Sequence, residues 1–361
     1  MTSRSTFSRR DIGLLGGCLA AAGAAGVLRY VGAGRVLPFV VTALALALLA
    51  SLVGRAVDAL GDRLGAGATG VVQSALGNLP ELFVVIFALR AGLVGVVQGA
   101  IVGSILANVL LVLGLAFVIG GLRHGTQRFA AERARIISLL LVLAVAALII
   151  PSLTASIHTP AAGHELALSR IVSVLLLGLF LLSLPAAISR GEKNTGEPAE
   201  SRPHETAGRW PLPLALGVLA IAAVGAAFVS EWFVHALEPA IAALGISQAF
   251  AGLVIVAIAG NAVENVVGIQ LAARNQSDYA LSVILQSPLQ IALVLAPIVV
   301  LISPLVGGVA FTLVFPPLLV VALALAALVA VLVVFDGEST WLEGAALVVL
   351  YAVIAAGFWW G

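Results

Sequence analysis

The sequence predicts an all-α polytopic membrane protein with eleven transmembrane helices, arranged as a first helix followed by two inverted five-helix repeats. Three observations lead there. The 361 residues are 61% hydrophobic and only 10% charged, whereas a soluble chain carries about a quarter charged residues. The apolar runs are continuous and reach the roughly 20 residues that cross a bilayer, unlike the short alternating segments of a membrane barrel. Two polar segments then match each other at a constant spacing of 183 residues.

The runs place spans at about 11–31, 36–54, 66–90, 93–120, 133–151, 167–189, 210–230, 243–272, 278–303, 309–335 and 340–360. The stretch 190–209, RGEKNTGEPAESRPHETAGR, has mixed charge, glycine and proline and no apolar period, so it reads as a solvated linker. The expected organisation is 1–35 for the N-terminus and first helix, 36–189 for the first repeat, 190–209 for the linker and 210–361 for the second repeat.

Basic residues orient the helices. With loops on alternate sides, Arg29, Arg35, Arg90 and Arg170 fall on one side and the other 14 of the 18 Lys and Arg on the opposite one. The N-terminus and the linker are therefore expected in the cytoplasm and the C-terminus outside, in a plasma (inner) membrane. Ser8-Arg9-Arg10 followed by Leu15-Gly16-Gly17-Cys18 also resembles a twin-arginine lipoprotein signal. An uncleaved first helix is the reading kept, because ordinary first helices have basic flanks too.

Net charge is +1, and no basic patch lies outside the short loops, which argues against nucleic acid as a partner. Cys18 is the single cysteine and excludes an intrachain disulfide. The expected partners are the lipid bilayer and small cations. Composition does not set the oligomeric state, and no cofactor is called for.

The matching segments carry the chemistry. Gly77-Asn78-Leu79-Pro80-Glu81 lies over Gly260-Asn261-Ala262-Val263-Glu264, and without a gap Val84 falls on Val267, Ser104 on Ser287 and Leu106 on Leu289. Five helices per unit is an odd number, so the second unit enters the membrane from the opposite side; in such inverted repeats the site is expected near the midplane. Glu81 and Glu264 each sit inside an apolar span. A charge there costs about 2.5–3.5 kcal/mol on insertion scales and usually lines a substrate or proton path. No Lys or Arg lies in the middle of a span to neutralise them.

Helical spacing adds ligands. Ser74, Asn78 and Glu81 share one face, and Asn261, Glu264 and Asn265 cluster in the second copy. Ser104 with Asn108, and Ser287 with Gln290, give polar faces to the helices that follow. Gly77, Pro80 and Gly260 weaken the helices beside the glutamates, where freed carbonyls can face an ion. Carboxylates, amide oxygens, hydroxyls and carbonyls make an all-oxygen site, which suits a hard cation such as Ca²⁺ and disfavours softer metals. Two ionised glutamates carry a charge of −2. One Ca²⁺ or two H⁺ cancels it, whereas one Na⁺ leaves −1 in a low-dielectric interior.

At these residues the chain resembles the Ca²⁺/H⁺ exchanger branch of the Ca²⁺/cation antiporter superfamily, over about residues 36–360. The paired Gly-Asn-x-x-Glu motifs carry the resemblance, with Gly103-Ser104-Ile105-Leu106-Ala107-Asn108 after the first and Ser287, Gln290-Ile291-Ala292-Leu293 and Ala296-Pro297 after the second. The resemblance implies eleven helices with inverted repeats in helices 2–6 and 7–11, alternating access, and cation binding by the motif glutamates and neighbouring polar residues. The chain departs from the pattern at Leu79-Pro80, Gln73, Gln286 and Asn265, and a proline before Glu81 is similar to the Na⁺/Ca²⁺ exchanger branch. A Na⁺- or K⁺-coupled exchanger is thus the alternative. An intramembrane enzyme is the remote one: His164-Glu165 lacks the second histidine of an HExxH motif, and His124, His158, His204 and His235 lie in loops or near helix ends.

Overall fold

A computed structural model describes residues 8–31, 33–193, 210–307 and 309–360, without the side chains of Arg9, 61–75, Arg133, 185–193 and Val263. The regular elements of the described residues are helices and one two-stranded ribbon. The helices are α1 Arg9–Leu28, α2 Leu37–Leu76, α3 Leu79–Arg90, α4 Val94–His124, α5 Ala131–Ser156, α6 Glu165–Lys193 and α7 Leu212–Leu244. They continue with α8 Gln248–Gly260, α9 Ala262–Ala273, α10 Ser277–Val306, α11 Pro317–Val334 and α12 Trp341–Gly357. Eight of them are long and apolar enough to cross a membrane, or nine if the bent pair α8–α9 counts as one span. The chain is an integral membrane protein built of helices.

By contacts the chain divides into two units, Met1–Val84 with Gly178–Ala240, and Val85–Leu177 with Ile241–Gly361. In the first unit α1 packs on α2. Ser8 caps α1 by accepting from the Asp11 amide at 3.1 Å, while the Asp11 carboxylate accepts from the Ser8 amide at 2.9 Å. That carboxylate, 1% exposed, also meets the Arg55 guanidinium of α2 at 2.6 Å. An aspartate in the first turn faces the positive end of its own helix; its pairing with arginine compensates a burial that is otherwise costly. Cys18 is buried on the same helix. Phe39 of α2 stacks on Phe233 of α7, ring centres 5.4 Å apart.

In the second unit α4 crosses α8 backbone to backbone. A Cβ placed on Gly99 would lie 2.5 Å from the Ala249 carbonyl oxygen, and one on Gly103 or Gly252 would overlap the opposing main chain. Small residues allow such approach between membrane helices. Gly114 of α4 and Gly344 of α12 meet in the same way.

The ends of this unit are tied by hydrogen bonds. At one end the ribbon β1 Gln127–Arg128 pairs antiparallel with β2 Glu338–Ser339, His124 contacts the Ala273 carbonyl at 3.0 Å, and Ser277 donates to Gln127 at 2.8 Å. At the other, Gln98 donates to the Val314 carbonyl at 2.7 Å, Ser152 to that of Leu313 at 2.9 Å, and the Ser247 amide donates to the Trp359 carbonyl beyond the end of α12 at 3.0 Å.

Three expectations change. The span read at 309–335 starts as helix only at Pro317, and its first part is irregular chain, with Phe311, Leu313 and Phe315 buried. Pro316-Pro317 denies that stretch a helix, because a residue before proline avoids the α region. Its amides are satisfied instead by side chains: Phe311 donates to Ser303, Leu313 to Ser169 and Phe315 to Ser152, all within 3.0 Å. The turn expected between spans two and three is replaced by continuous helix through Arg55–Arg63, a stretch without proline in which Arg, Ala and Leu favour helix. Third, helix α6 runs to Lys193, so the first residues of the expected linker are helical; 194–209 lie outside the described residues.

Candidate functional site

Both Gly-Asn-x-x-Glu motifs break a helix, and they do so at equivalent places. α2 ends at Leu76 and α3 covers Leu79–Arg90; α8 ends at Gly260 and α9 covers Ala262–Ala273, so both 12-residue helices begin and end at the same 183-residue spacing. The first bond of each new helix also corresponds, Leu82 N–H to the Asn78 carbonyl at 2.9 Å and Asn265 N–H to the Asn261 carbonyl at 3.1 Å. Each short helix ends in a left-handed residue, Gly92 with φ 75° and Asn275 with φ 61°; glycine and asparagine are the residues that enter this region readily. Between α8 and the body of α9 the axis bends by 65°.

The break has an electrostatic consequence. Glu81 and Glu264 lie in the first turns of α3 and α9, where unpaired amides make the helix end positive and favour a carboxylate. The helices that stop just before them turn carbonyl oxygens toward the same gap. Glu81 is fully buried and Asn78 is 7% exposed; Glu264 is half-buried.

In the second unit Asn261 is a hub. Its Nδ2 donates to Ser104 Oγ of α4 and to the Ala257 carbonyl, both at 3.0 Å, and its Oδ1 accepts from Ser287 Oγ of α10 at 3.2 Å. All three side chains are buried. Asn108 is wholly buried in a π-helical stretch, Ala107–Val112, and donates its amide to the Ser104 carbonyl at 2.9 Å. Such bulges recur at functional sites; α8 and α10 carry their own at Ala251–Val256 and Ile291–Leu295. Gln290 is half-buried and immediately precedes the last of these.

Of the residues singled out from the sequence, Asn261, Ser104 and Ser287 are brought into direct contact across 157 and 26 residues of chain, and Asn108 joins through the Ser104 backbone. Asn78 and Glu81 belong to the first unit at its Val84 boundary. The Ser74 side chain lies outside the described residues. Sequence reasoning missed the glycines that let α4 reach α8. Their signal was present as Gly99-x-x-x-Gly103 in an apolar run, the spacing that lets helices approach. Among the described residues no three His, Cys, Asp or Glu side chains assemble. A cation here would draw on amide, hydroxyl and carbonyl oxygens besides the carboxylates, which is the hard-ion donor set.

These features define a class: a helical membrane protein with broken helices, each opening on a carboxylate and an asparagine. Comparison with known proteins sharpens it. Residues 35–188 and 214–360 match the family described as sodium/calcium exchanger protein, and the chain belongs to that family. A Ca(2+)/H(+) antiporter of Synechocystis sp. is 33% identical over 350 residues, 91% of this chain and 92% of that protein. The Ca(2+)/H(+) antiporter ChaA of Bacillus subtilis is 35% identical over 324 residues, 89% and 91% of the two chains. The solved structure of native YfkE aligns with TM-score 0.81 at 31% identity, covering 96% of this chain and 99% of that one. The H+/Ca2+ exchanger CAX, at 16% identity and TM-score 0.75 over 98% and 92% of the two chains, shares the fold.

Proposed function

We propose that this chain is an antiporter that exchanges Ca²⁺ for H⁺ by alternating access, using Glu81 and Glu264 as its charged ligands and Asn78, Asn261, Ser104, Asn108, Ser287 and Gln290 as neutral ones. The observation that carries the reading is the repeated break, which sets one carboxylate at a positive helix end in each copy of the motif. Charge balance selects the ions: −2 is matched by one Ca²⁺ or two H⁺. The antiporters of Synechocystis and Bacillus subtilis, matched along most of their length, support the pair of ions. Nothing in this chemistry requires a cofactor or a bond-making step, so the protein is read as a transporter and not an enzyme.

The decisive experiment is Ca²⁺ uptake into proteoliposomes under an imposed pH gradient, with Na⁺ and K⁺ varied separately. Uptake driven by the pH gradient alone is expected. An absolute requirement for Na⁺ or K⁺ on the opposite side would replace this reading with the coupled-cation one that Pro80 favours.

The proposal extends to eleven crossings, two inverted repeats at 36–189 and 210–361, and a cytoplasmic N-terminus in the plasma (inner) membrane. Hydrogen bonds in the second unit support the count. Under eleven crossings the ends of α4 and α9, the start of α10 and the α11–α12 turn all fall on one side, and these are the segments joined through Gln127, His124 and the ribbon. The start of α4, the end of α5 and the 309–316 segment fall on the other, and they too are bonded together. The continuous helix at Arg55–Arg63 is where proposal and structure part. In a Cys18→Ser background, Gly196→Cys should resist an impermeant thiol reagent applied to intact cells, while Gly361→Cys should react, because 14 of the 18 basic residues mark the linker side as cytoplasmic. The opposite labelling pattern would invert the orientation.

A further inference from the structure

Among the described residues, three buried amide oxygens of the second unit have no hydrogen-bond partner, those of Asn108, Asn265 and Gln276, and the first two belong together. The large majority of buried side-chain polar atoms in native proteins are paired, and an unpaired one calls for an explanation, of which a water or an ion is one. Asn108 spends its Nδ2 on the carbonyl of its own helix at Ser104, so its oxygen is left for a partner elsewhere.

The packing sets the two oxygens at one level. α4 and α9 run in the same direction, since both end at the contact of His124 with the Ala273 carbonyl. A Cβ on Gly268 of α9 would lie 3.8 Å from Val112 of α4 and 2.5 Å from Ile284 of α10, so these three positions face one another. One turn back along α9 is Asn265, on the Gly268 face. One turn back along α4 is Asn108, and one turn on along α10 is Ser287. Each step is roughly 5 Å along its helix, so Asn108, Asn265 and Ser287 lie at the same depth, beside the Asn261 hub. Both orphans are acceptors, so the missing partner is electron-poor.

We propose that Asn265 is a further cation-contacting residue, whose amide oxygen pairs with that of Asn108 to form a step of the ion path between α4, α9 and α10. This rests on the cation-exchange reading above and adds a ligand to it. The step lies between the Asn261 hub and the end of the unit closed by Gln127 and Ser277, where α4, α9 and α10 come together. Neutral oxygens suit such a position: they replace part of a cation's water shell without binding it tightly enough to stop its passage.

The test is cation binding to the purified full-length protein by calorimetry, with Ca²⁺, Na⁺ and K⁺ titrated separately, alongside proteoliposome uptake. Asn265→Leu keeps the volume and removes the oxygen. It should weaken binding of the cation that the parent binds by roughly five- to tenfold, the loss of one neutral polar contact, and raise KM for that cation more than it lowers kcat. Asn265→Asp keeps the oxygen and serves if the leucine variant fails to fold; it should bind at least as tightly as the parent. Combined with Asn108→Leu, Asn265→Leu should cost less than the product of the two single losses, because both oxygens hold one ion. Unchanged binding and KM in Asn265→Leu, a loss confined to kcat, or weaker binding in Asn265→Asp would overturn the inference. A parent that binds Na⁺ or K⁺ but not Ca²⁺ would overturn the Ca²⁺ reading and leave Asn265 to be judged on that cation. A parent that binds none of the three would overturn both.

Discussion

Glu81→Gln and Glu264→Gln should each abolish exchange while the protein still folds and inserts. The amide keeps the shape of the carboxyl and one of its oxygens but loses the charge. Without it the proposed pair of carboxylates would carry −1, and a divalent ion would enter a low-dielectric interior uncompensated. Removing one partner from a buried charge pair costs about 2–5 kcal/mol, a loss of roughly thirty- to several-thousandfold in affinity. Folding should be spared, because a buried charge opposes insertion and its neutral replacement does not. Asn78→Ala and Asn261→Ala should cost less, as neutral ligands. Of the two, Asn261→Ala should be the more damaging: it unties Ser104 and Ser287 at once. Uptake assays on protein checked for monodispersity decide the matter, and normal transport by either glutamine variant would remove that glutamate from the site.

The second large effect is on pH. Apparent Ca²⁺ affinity should fall as pH drops, since a protonated carboxyl is a poor metal ligand and metal binding must release its protons. The sign is the same for either glutamate: protonation competes with Ca²⁺, so acid weakens binding and alkali restores it. The slope counts protons. If both glutamates release one, the logarithm of affinity changes by about two per pH unit on the acid side, a hundredfold; if one does, by about one. Strong coupling between the carboxyls would divide the titration into two macroscopic steps. Calorimetric Ca²⁺ affinity measured at several pH values reads this directly. A pH-independent affinity would exclude shared oxygens as the basis of exchange.

Much of this was legible in one dimension. Apolar runs reported the membrane, because a bilayer demands about 20 apolar residues per crossing wherever the chain goes. The spacing of Gly77-Asn78-x-x-Glu81 and Gly260-Asn261-x-x-Glu264 singled out both carboxylates, because a charge in an apolar span has few explanations. Helix boundaries were less legible. The sequence shows Pro316-Pro317, but not that Ser152, Ser169 and Ser303 take amides of the non-helical chain before it.

By itself, then, the sequence determined the helical membrane class and the 183-residue spacing of the two motifs at which the helices break. These depend on composition and spacing, which act through the solvent and through neighbours a few positions away. The tertiary structure alone decided that Asn261 holds Ser104 and Ser287 together, and that Asn108 and Asn265 are left with unpaired oxygens. Those facts follow from the crossing of α4 on α8 at Gly99, Gly103 and Gly252 and from the packing of α9 between α4 and α10. A hydrogen bond needs its partners within about 3 Å, and which residues meet that condition across more than 150 positions of chain is set by how the helices pack, which no local pattern encodes.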